Sequence, residues 1–191
     1  ATDKANDVIF ELLDYSSPHE VNMQAGNINE IIQHVLTFLR HNIYDTHIEL
    51  KVEFAAELPS VLMDAPKMEQ VLINLFLNAI SVMPSGGELS VKTYTQKMQQ
   101  TGANVSSKMT ERFRIGDLLV VIEIKDTGSG LSDTDKEKVF DPFYSTKPTG
   151  NGTGLGLSVT QSIVDMHRGF ITLDNRKNSP GACARIILPA T

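Results

Sequence analysis

An almost wholly apolar segment at residues 71–80 is the feature that most constrains the fold. Asp64 is suited to cap a helix that carries Pro66 in its first turn, and Pro84 with the glycines after it is suited to end that helix. The pattern predicts a helix over residues 68–83. Because this helix is apolar on nearly every side, we expect it to lie in the core.

Two asparagines interrupt the apolar helix. Asn74 and Asn78 are four residues apart and therefore lie on one face. A buried amide is costly unless its hydrogen bonds are satisfied. Two interpretations stand side by side. The amides bind backbone groups within the core, or an amide oxygen is a ligand of Mg²⁺, which takes few protein oxygens and leaves its other positions to water and phosphate.

Helices and strands follow one another along the rest of the chain. Apolar residues at helical spacing predict helices over 27–40 and 155–167. Alternating or short apolar runs predict strands, which cover residues 47–54, 88–95, 118–125, 170–173 and 184–188. The first of these strands is expected to have one solvent-exposed face, and the polar stretch 96–116 is interpreted as a long hairpin tip. Together the elements predict an α/β sandwich.

Composition limits the class of protein. The chain has 191 residues, enough for one well-packed main domain, and it contains no apolar run of the length that spans a membrane. Its first residues lack the pattern of a secretory signal, and the lone Cys183 rules out an internal disulfide. The net charge is −6 and the 17 Lys and Arg residues are scattered, which argues against a nucleic-acid surface. We therefore expect a cytoplasmic globular domain with no nucleic-acid partner.

A glycine-rich motif, DTGSG, begins at Asp126, directly after the predicted strand 118–125. Asp and Gly favour turns, so one interpretation is a simple turn. The other rests on chemistry: a buried carboxylate only accepts hydrogen bonds, so it suits the exocyclic amine of adenine and repels the carbonyl oxygen of guanine. On this interpretation Asp126 selects ATP over GTP.

A second glycine motif, GTGLGLS, lies at residues 152–158, just where a helix begins. Glycines let the backbone approach phosphates closely, and a helix N-terminus offers N–H groups to an anion. The motif predicts a phosphate cradle. Between the two glycine motifs we expect a mobile loop in which Phe140 and Phe143 pack as an anchor, with a short solvated helix at residues 133–138.

In this order the motifs resemble the GHKL ATP-binding superfamily and, within it, the sensor histidine kinases, over residues 27–189. QVLINLFLNAI is similar to their N box, DTGSG to the first glycine box, FDPFYSTK to the F box and GTGLGLS to the second glycine box. The resemblance implies a two-layer α/β sandwich of the GHKL (Bergerat) type, with a mixed, mostly antiparallel sheet and helices on one face. It also implies a catalytic ATP-binding domain at 19–191 with an ATP lid at 131–153.

The resemblance also assigns roles to single residues. Asn78 would hold Mg²⁺, Asn74 would lie on the phosphate side, and Asp126 would read adenine. Lys147 matches the lysine that reaches the terminal phosphate in the nitrogen-regulation branch, so Asn74 and Lys147 are the expected catalytic residues. The backbone around ATP and Mg²⁺ is expected at Gly128, Gly130, Gly152, Thr153, Gly154, Leu155, Gly156 and Leu157.

Position 74 separates the branches of the superfamily on chemical grounds. The ATP-hydrolysing branches carry Glu at this place, and a neutral amide cannot act as a general base near neutral pH. The resemblance therefore implies a protein histidine kinase that transfers the γ-phosphate of ATP to a histidine, from which a response regulator takes it. The alternatives are a GHKL ATPase, an anti-sigma-type serine kinase, or a degenerate nucleotide-binding scaffold.

The phosphate-accepting histidine of that family has no counterpart in this sequence. His19 is the nearest match, but no proline follows it as the pattern requires. Residues 1–18 resemble the end of the second helix of the dimerisation and phosphoacceptor domain, so the acceptor is expected to precede them. The resemblance implies a homodimeric full-length protein, which can carry a membrane anchor outside these residues.

The third glycine box also departs from the family pattern. Gly181 is present, but Ala182, Cys183 and Ala184 stand where small hydroxyl residues and an aromatic residue are expected. We therefore expect that a hydroxyl contact near adenine is lost.

Overall fold

The structure is a computed structural model, and it describes residues 21–99, 107–145 and 153–191. The strands in the described ranges are β1 (Gln24–Gly26), β2 (Ile48–Glu53), β3 (Val61–Met63), β4 (Gly87–Lys97), β5 (Leu118–Lys125), β6 (Phe170–Asn175) and β7 (Ala182–Pro189). The helices are α1 (Ile28–Phe38), α2 (Arg40–Asp45), α3 (Ala65–Ser81), α4 (Ser107–Arg112), α5 (Asp133–Lys138) and α6 (Gly156–Met166).

Five strands form the main sheet, in the order β2-β4-β5-β7-β6. The pair β2–β4 is parallel, and the other three pairs are antiparallel. A separate two-stranded sheet joins β1 to β3. The predicted mixed, mostly antiparallel α/β architecture is confirmed.

The main core lies between this sheet and helices α1, α3 and α6. Helix α3 begins as expected, because the Asp64 carboxylate accepts a hydrogen bond from the backbone N–H of Lys67 at 3.1 Å. Its buried side chains include Leu72 and Phe76, both fully enclosed. Helix α6 packs directly against α3. The apolar helix therefore occupies the centre of the core, where its composition predicts it.

The hairpin tip between β4 and β5 is more structured than expected. Residues 107–112 form helix α4, and Met109 and Phe113 are buried in a second apolar cluster with Met98. Leu119 and Val121 of β5 belong to this cluster, whereas their neighbours Val120 and Ile122 belong to the main core. Since alternate residues of a strand point to opposite faces, α4 covers part of the face that α1, α3 and α6 leave open.

Strand β2 lies at the edge of the sheet, and most of its alternating apolar side chains are not buried. Ile48 is buried, but Leu50 and Val52 are 37% and 41% exposed. The expectation of one wet and one buried face is wrong here, because an edge strand has a neighbour on one side only in the described sheet.

The proposed division of the chain at residues 18 and 19 remains a prediction, because residues 1–20 lie outside the described ranges. Among the helices that the structure describes, none combines the length and the apolarity needed to cross a membrane.

Candidate functional site

Helix α3, which carries the N box, contacts both the first and the second glycine box. In its middle, the Asn74 amide Nδ2 donates a hydrogen bond to the backbone oxygen of Gly156, the first residue of α6, at 3.2 Å. At its C-terminal end, Val82 lies against Gly128, where an added Cβ would come within 2.5 Å of the valine Cγ2. The two glycine boxes therefore both pack against the helix that carries the N box.

Asp126 is buried at the end of β5, with 6% of its surface exposed. Its Oδ1 accepts hydrogen bonds from the backbone N–H groups of Gly128 at 2.8 Å and Ala182 at 3.2 Å. The backbone N–H of Asp126 in turn donates to the Ala182 oxygen at 3.1 Å. The carboxylate is thus held in place by backbone donors, and the predicted buried acceptor exists.

The third glycine segment provides this support through its backbone. Gly181 has φ +105°, and a Cβ there would clash with the carbonyl oxygen of Asp126. The close approach brings the N–H of Ala182 onto the Asp126 carboxylate. The missing hydroxyl residues at this box therefore do not remove the support of Asp126, because a backbone amide supplies it.

The second glycine box packs against the loop that precedes it. Gly154 has φ +71°, and an added Cβ would lie 2.6 Å from the carbonyl oxygen of Phe143. Leu155 is buried and precedes α6 without a side-chain cap, and its N–H donates to the Thr153 hydroxyl at 3.3 Å. The N–H groups of the first turn of α6 thus begin at the glycine motif, where a phosphate cradle was predicted.

The two phenylalanines of the F box behave differently. Phe140 packs partly buried against the main core, as expected. Phe143 is 71% exposed with φ +66°, so the expected packing of its ring is wrong. The physical reason is that its backbone, and not its ring, makes the contact with Gly154.

The described start of the loop is a capped helix with no buried residue, as predicted for residues 133–138. Ser132 and Asp135 form a capping box, and the Tyr144 hydroxyl donates to Asp135 at 2.6 Å. The hydrogen bond from Tyr144 holds the pKa of Asp135 below its ordinary value, and hydrogen bonds from Ser132 add to this effect.

Not every predicted site residue can be placed. Lys147 and Gly152 lie outside the described residues. Asn78 is half-buried on α3, and its backbone oxygen accepts from Ser81 at 2.8 Å. Gly130 and Leu157 lie half-buried at the start of the loop and in the first turn of α6, respectively.

The β6–β7 turn, which runs from Asn175 at the end of β6 to Gly181, approaches the site and was not found from the sequence. Asn175 makes two hydrogen bonds to Leu131, and Arg176 makes one to the Asp126 carbonyl. Gly181 was the available signal, because a glycine that must approach a neighbouring strand also brings the turn before it close.

A cleft of about 750 Å³ opens beside the N-terminal half of α3 and reaches Asn74. Polar side chains line much of it, including Asn22, Gln24, Lys67 and Gln70. Asn74 therefore touches both this cleft and the start of α6.

Comparison with known proteins identifies the family of this chain. The family model for histidine kinase-, DNA gyrase B- and HSP90-like ATPases matches residues 63–191. The chain belongs to this family. The match contains α3, the Asp126 segment and the second glycine box, whereas the cleft residues 22–26 precede it.

Relatives of this ATPase family that are similar to the chain include sensor kinases. The sensor histidine kinase ZraS of Salmonella typhi is 32% identical over 187 residues, which cover 98% of this chain and 36% of ZraS. The sensor kinase CckA of Brucella abortus is 31% identical over 190 residues, which cover 97% of this chain and 19% of CckA. The chain thus spans about a third or less of these relatives.

Solved structures of the family have the same fold. The catalytic domain of histidine kinase ThkA is 29% identical, with a TM-score of 0.69 over 89% of this chain and 99% of that domain. ThkA in complex with the response regulator protein TrrA is 26% identical, with a TM-score of 0.74 over 100% of this chain and 48% of that chain.

Proposed function

We propose that this chain is the ATP-binding catalytic domain of a two-component sensor histidine kinase. It transfers the γ-phosphate of ATP to a histidine that lies outside these residues, and a response regulator then takes the phosphate. The observation that carries the proposal is Asp126, a buried carboxylate fixed by two backbone N–H groups beside a glycine motif. The similarity to ZraS and to the ThkA catalytic domain supports the kinase assignment.

Nucleotide recognition is divided between the C-terminal end and the middle of helix α3. At the C-terminal end, Asp126 accepts the hydrogen bond of the adenine amine, next to Gly128 and Gly130. In the middle, the glycine motif at the start of α6 presents its N–H groups to the phosphates. The link between Asn74 and Gly156 keeps the two helices in register on the phosphate side.

Asn78 is proposed to hold Mg²⁺ through its amide oxygen, and bound Mg²⁺ would neutralise phosphate charge. Asn78 lies one turn after Asn74, on the same half-buried face of α3, which suits this role. Asn78→Ala should therefore abolish the Mg²⁺ dependence of nucleotide binding, measured by calorimetry with and without the ion. Unchanged affinity with Mg²⁺ would remove this assignment.

Asn74 explains why water is a poor acceptor in the proposed reaction. Its amide is engaged with the Gly156 backbone and has no proton affinity with which to activate water. Phosphoryl transfer then depends on positioning and charge neutralisation, with Lys147 proposed at the terminal phosphate.

The proposed partners are the protein's own dimerisation and phosphoacceptor domain and a cognate response regulator, as in the solved complex of ThkA with TrrA. The proposed full-length protein is a homodimer, and the proposed location of this domain is the cytoplasm.

Calorimetric binding of ATP and GTP, each with Mg²⁺, tests the proposal in the parent chain and in Asp126→Asn. The Asn variant keeps an oxygen for the N–H groups of Gly128 and Ala182, so the fold is preserved while the acceptor-only carboxylate is lost. We expect ATP-selective binding in the parent and loss of selectivity in the variant. No binding by the parent would favour the scaffold alternative.

A second assay separates a kinase from an ATPase. The parent with ATP and Mg²⁺ should release little inorganic phosphate, since position 74 carries no general base. Sustained phosphate release would overturn the kinase proposal in favour of ATP hydrolysis.

A further inference from the structure

The β6–β7 turn holds the first glycine segment, residues 126–131, at its C-terminal end. The Asn175 side chain pairs with Leu131, which directly follows Gly130. Its Oδ1 accepts from the Leu131 N–H at 2.7 Å, and its Nδ2 donates to the Leu131 oxygen at 2.8 Å. The amide thus satisfies both backbone groups of one residue, as a neighbouring strand would.

The same turn also holds the N-terminal end of the segment, at Asp126. The Arg176 guanidinium Nη1 donates to the carbonyl oxygen of Asp126 at 3.1 Å, and the Arg176 backbone N–H donates to Gly181 at 2.9 Å. The positive charge of Arg176 also contributes to lowering the pKa of Glu88, after the larger effect of the Lys51 hydrogen bond. Glu88 in turn donates its N–H to the Thr127 hydroxyl at 2.9 Å.

Gly130 shows how closely the turn and the segment fit. It has φ +71°, and an added Cβ would lie 2.8 Å from the Asn175 Oδ1. Residues 126–131 are therefore held at both ends by two consecutive side chains of one turn. A segment with two glycines loses much conformational entropy when it is ordered, so such restraint lowers the cost of binding.

We propose that Asn175 and Arg176 are positioning residues for nucleotide recognition. They fix the segment that carries Asp126, and thereby set both the affinity for ATP and its preference over GTP. This inference rests on the proposed function, because it assumes that Asp126 reads adenine. Discrimination by a single carboxylate requires that its position be held closely, which is the function of the turn.

The test compares Asn175→Ala and Arg176→Ala with Lys177→Ala, an exposed residue of the same turn. Lys177→Ala removes the same charge as Arg176→Ala, so it controls for electrostatics. We expect the Kd for ATP to rise about tenfold in the first two variants, because each loses the equivalent of roughly one hydrogen bond. We also expect the ratio of GTP to ATP affinity to rise in both, and neither quantity to change in Lys177→Ala.

Amide hydrogen exchange on the nucleotide-free protein supplies a second readout. Exchange at Leu131 should accelerate in Asn175→Ala, whereas exchange at Ile122 in the core of β5 should not, which separates a local effect from general destabilisation. Normal ATP affinity and selectivity in both variants, or unchanged exchange at Leu131, would overturn the inference alone. Failure of the parent to bind ATP would overturn the proposed function and this inference with it.

Discussion

Gly181 makes the closest backbone approach of the glycines that the structure describes. Its backbone conformation at φ +105° is one that L side chains rarely adopt, and an added Cβ would meet the Asp126 carbonyl. Gly116 offers a matched control, because its φ is +94° but an added Cβ would meet no described atom within 4 Å. The two glycines share the backbone strain and differ in the close approach.

Gly181→Ala should therefore cost more stability than Gly116→Ala. Backbone strain alone costs about 1–3 kcal/mol at either position, and the clash adds to this only at Gly181. ATP affinity should fall in Gly181→Ala alone, because the clash displaces the strand end that carries Asp126. Urea unfolding and ATP calorimetry on both variants measure the difference. Equal losses of stability and unaltered ATP binding would show that the contact with Asp126 is unimportant.

At the scale of elements, helix α4 and its small apolar cluster form a unit on the opposite face of the sheet. Phe113 is 4% exposed in this cluster, whereas Ile115, two residues later, is 65% exposed. Phe113→Ala should destabilise the fold by about 3 kcal/mol, as loss of a buried aromatic ring does. Ile115→Ala should change stability by less than about 0.5 kcal/mol.

Both variants should bind ATP as the parent does, because the cluster lies on the face of the sheet away from α3 and α6. Urea unfolding followed by ATP calorimetry checks the pair. A large loss of ATP affinity in Phe113→Ala, at temperatures where the variant is folded, would contradict the separation of the two faces.

The sequence predicts the elements of this fold unevenly. Helix α3 was predicted because its composition and its cap at Asp64 point to the same structure. Helix α4 was not predicted, because it is short and polar, and Met109 and Phe113 only become core residues when the sheet is present. The strand β2 was placed correctly, but the exposure of Leu50 depends on its edge position, which no local pattern encodes.

At the scale of the whole molecule, the site is predictable to the extent that it is built from local motifs. The chemistry of the DTGSG motif singles out Asp126 at the end of a predicted strand, and this carboxylate is buried. The pairing of Asn175 with Leu131 joins residues 44 apart in sequence, so only the strand order β5-β7-β6 brings them together. Long-range pairings of this kind follow from topology, and no spacing in the sequence predicts them.

A charged cluster crosses the sheet on the face away from α3 and joins strands β4, β5 and β7. The Glu123 carboxylate is 7% exposed and accepts hydrogen bonds from Arg185 Nη2 at 2.6 Å, Lys125 Nζ at 2.7 Å and the Tyr94 hydroxyl at 3.2 Å. Burial alone would raise the pKa of Glu123. The hydrogen bonds and charges of Lys125 and Arg185 outweigh it, so the pKa lies below its ordinary value of 4.5.

A lowered pKa in the folded state means that ionised Glu123 stabilises the fold above pH 4.5, and that this stabilisation is lost as the pH falls through the folded-state pKa. Glu123→Gln should therefore lower the free energy of unfolding by about 1.5–3 kcal/mol at neutral pH, which is the range for hydrogen bonds to a charged group. The difference from the parent should shrink as the pH falls below 4.5. Urea unfolding of both proteins above and below pH 4.5 measures this difference in stability. Glu57 is exposed, so Glu57→Gln is a control whose stability should equal that of the parent at every pH. A difference that stays constant with pH would mean that Glu123 contributes through its shape and not through its charge.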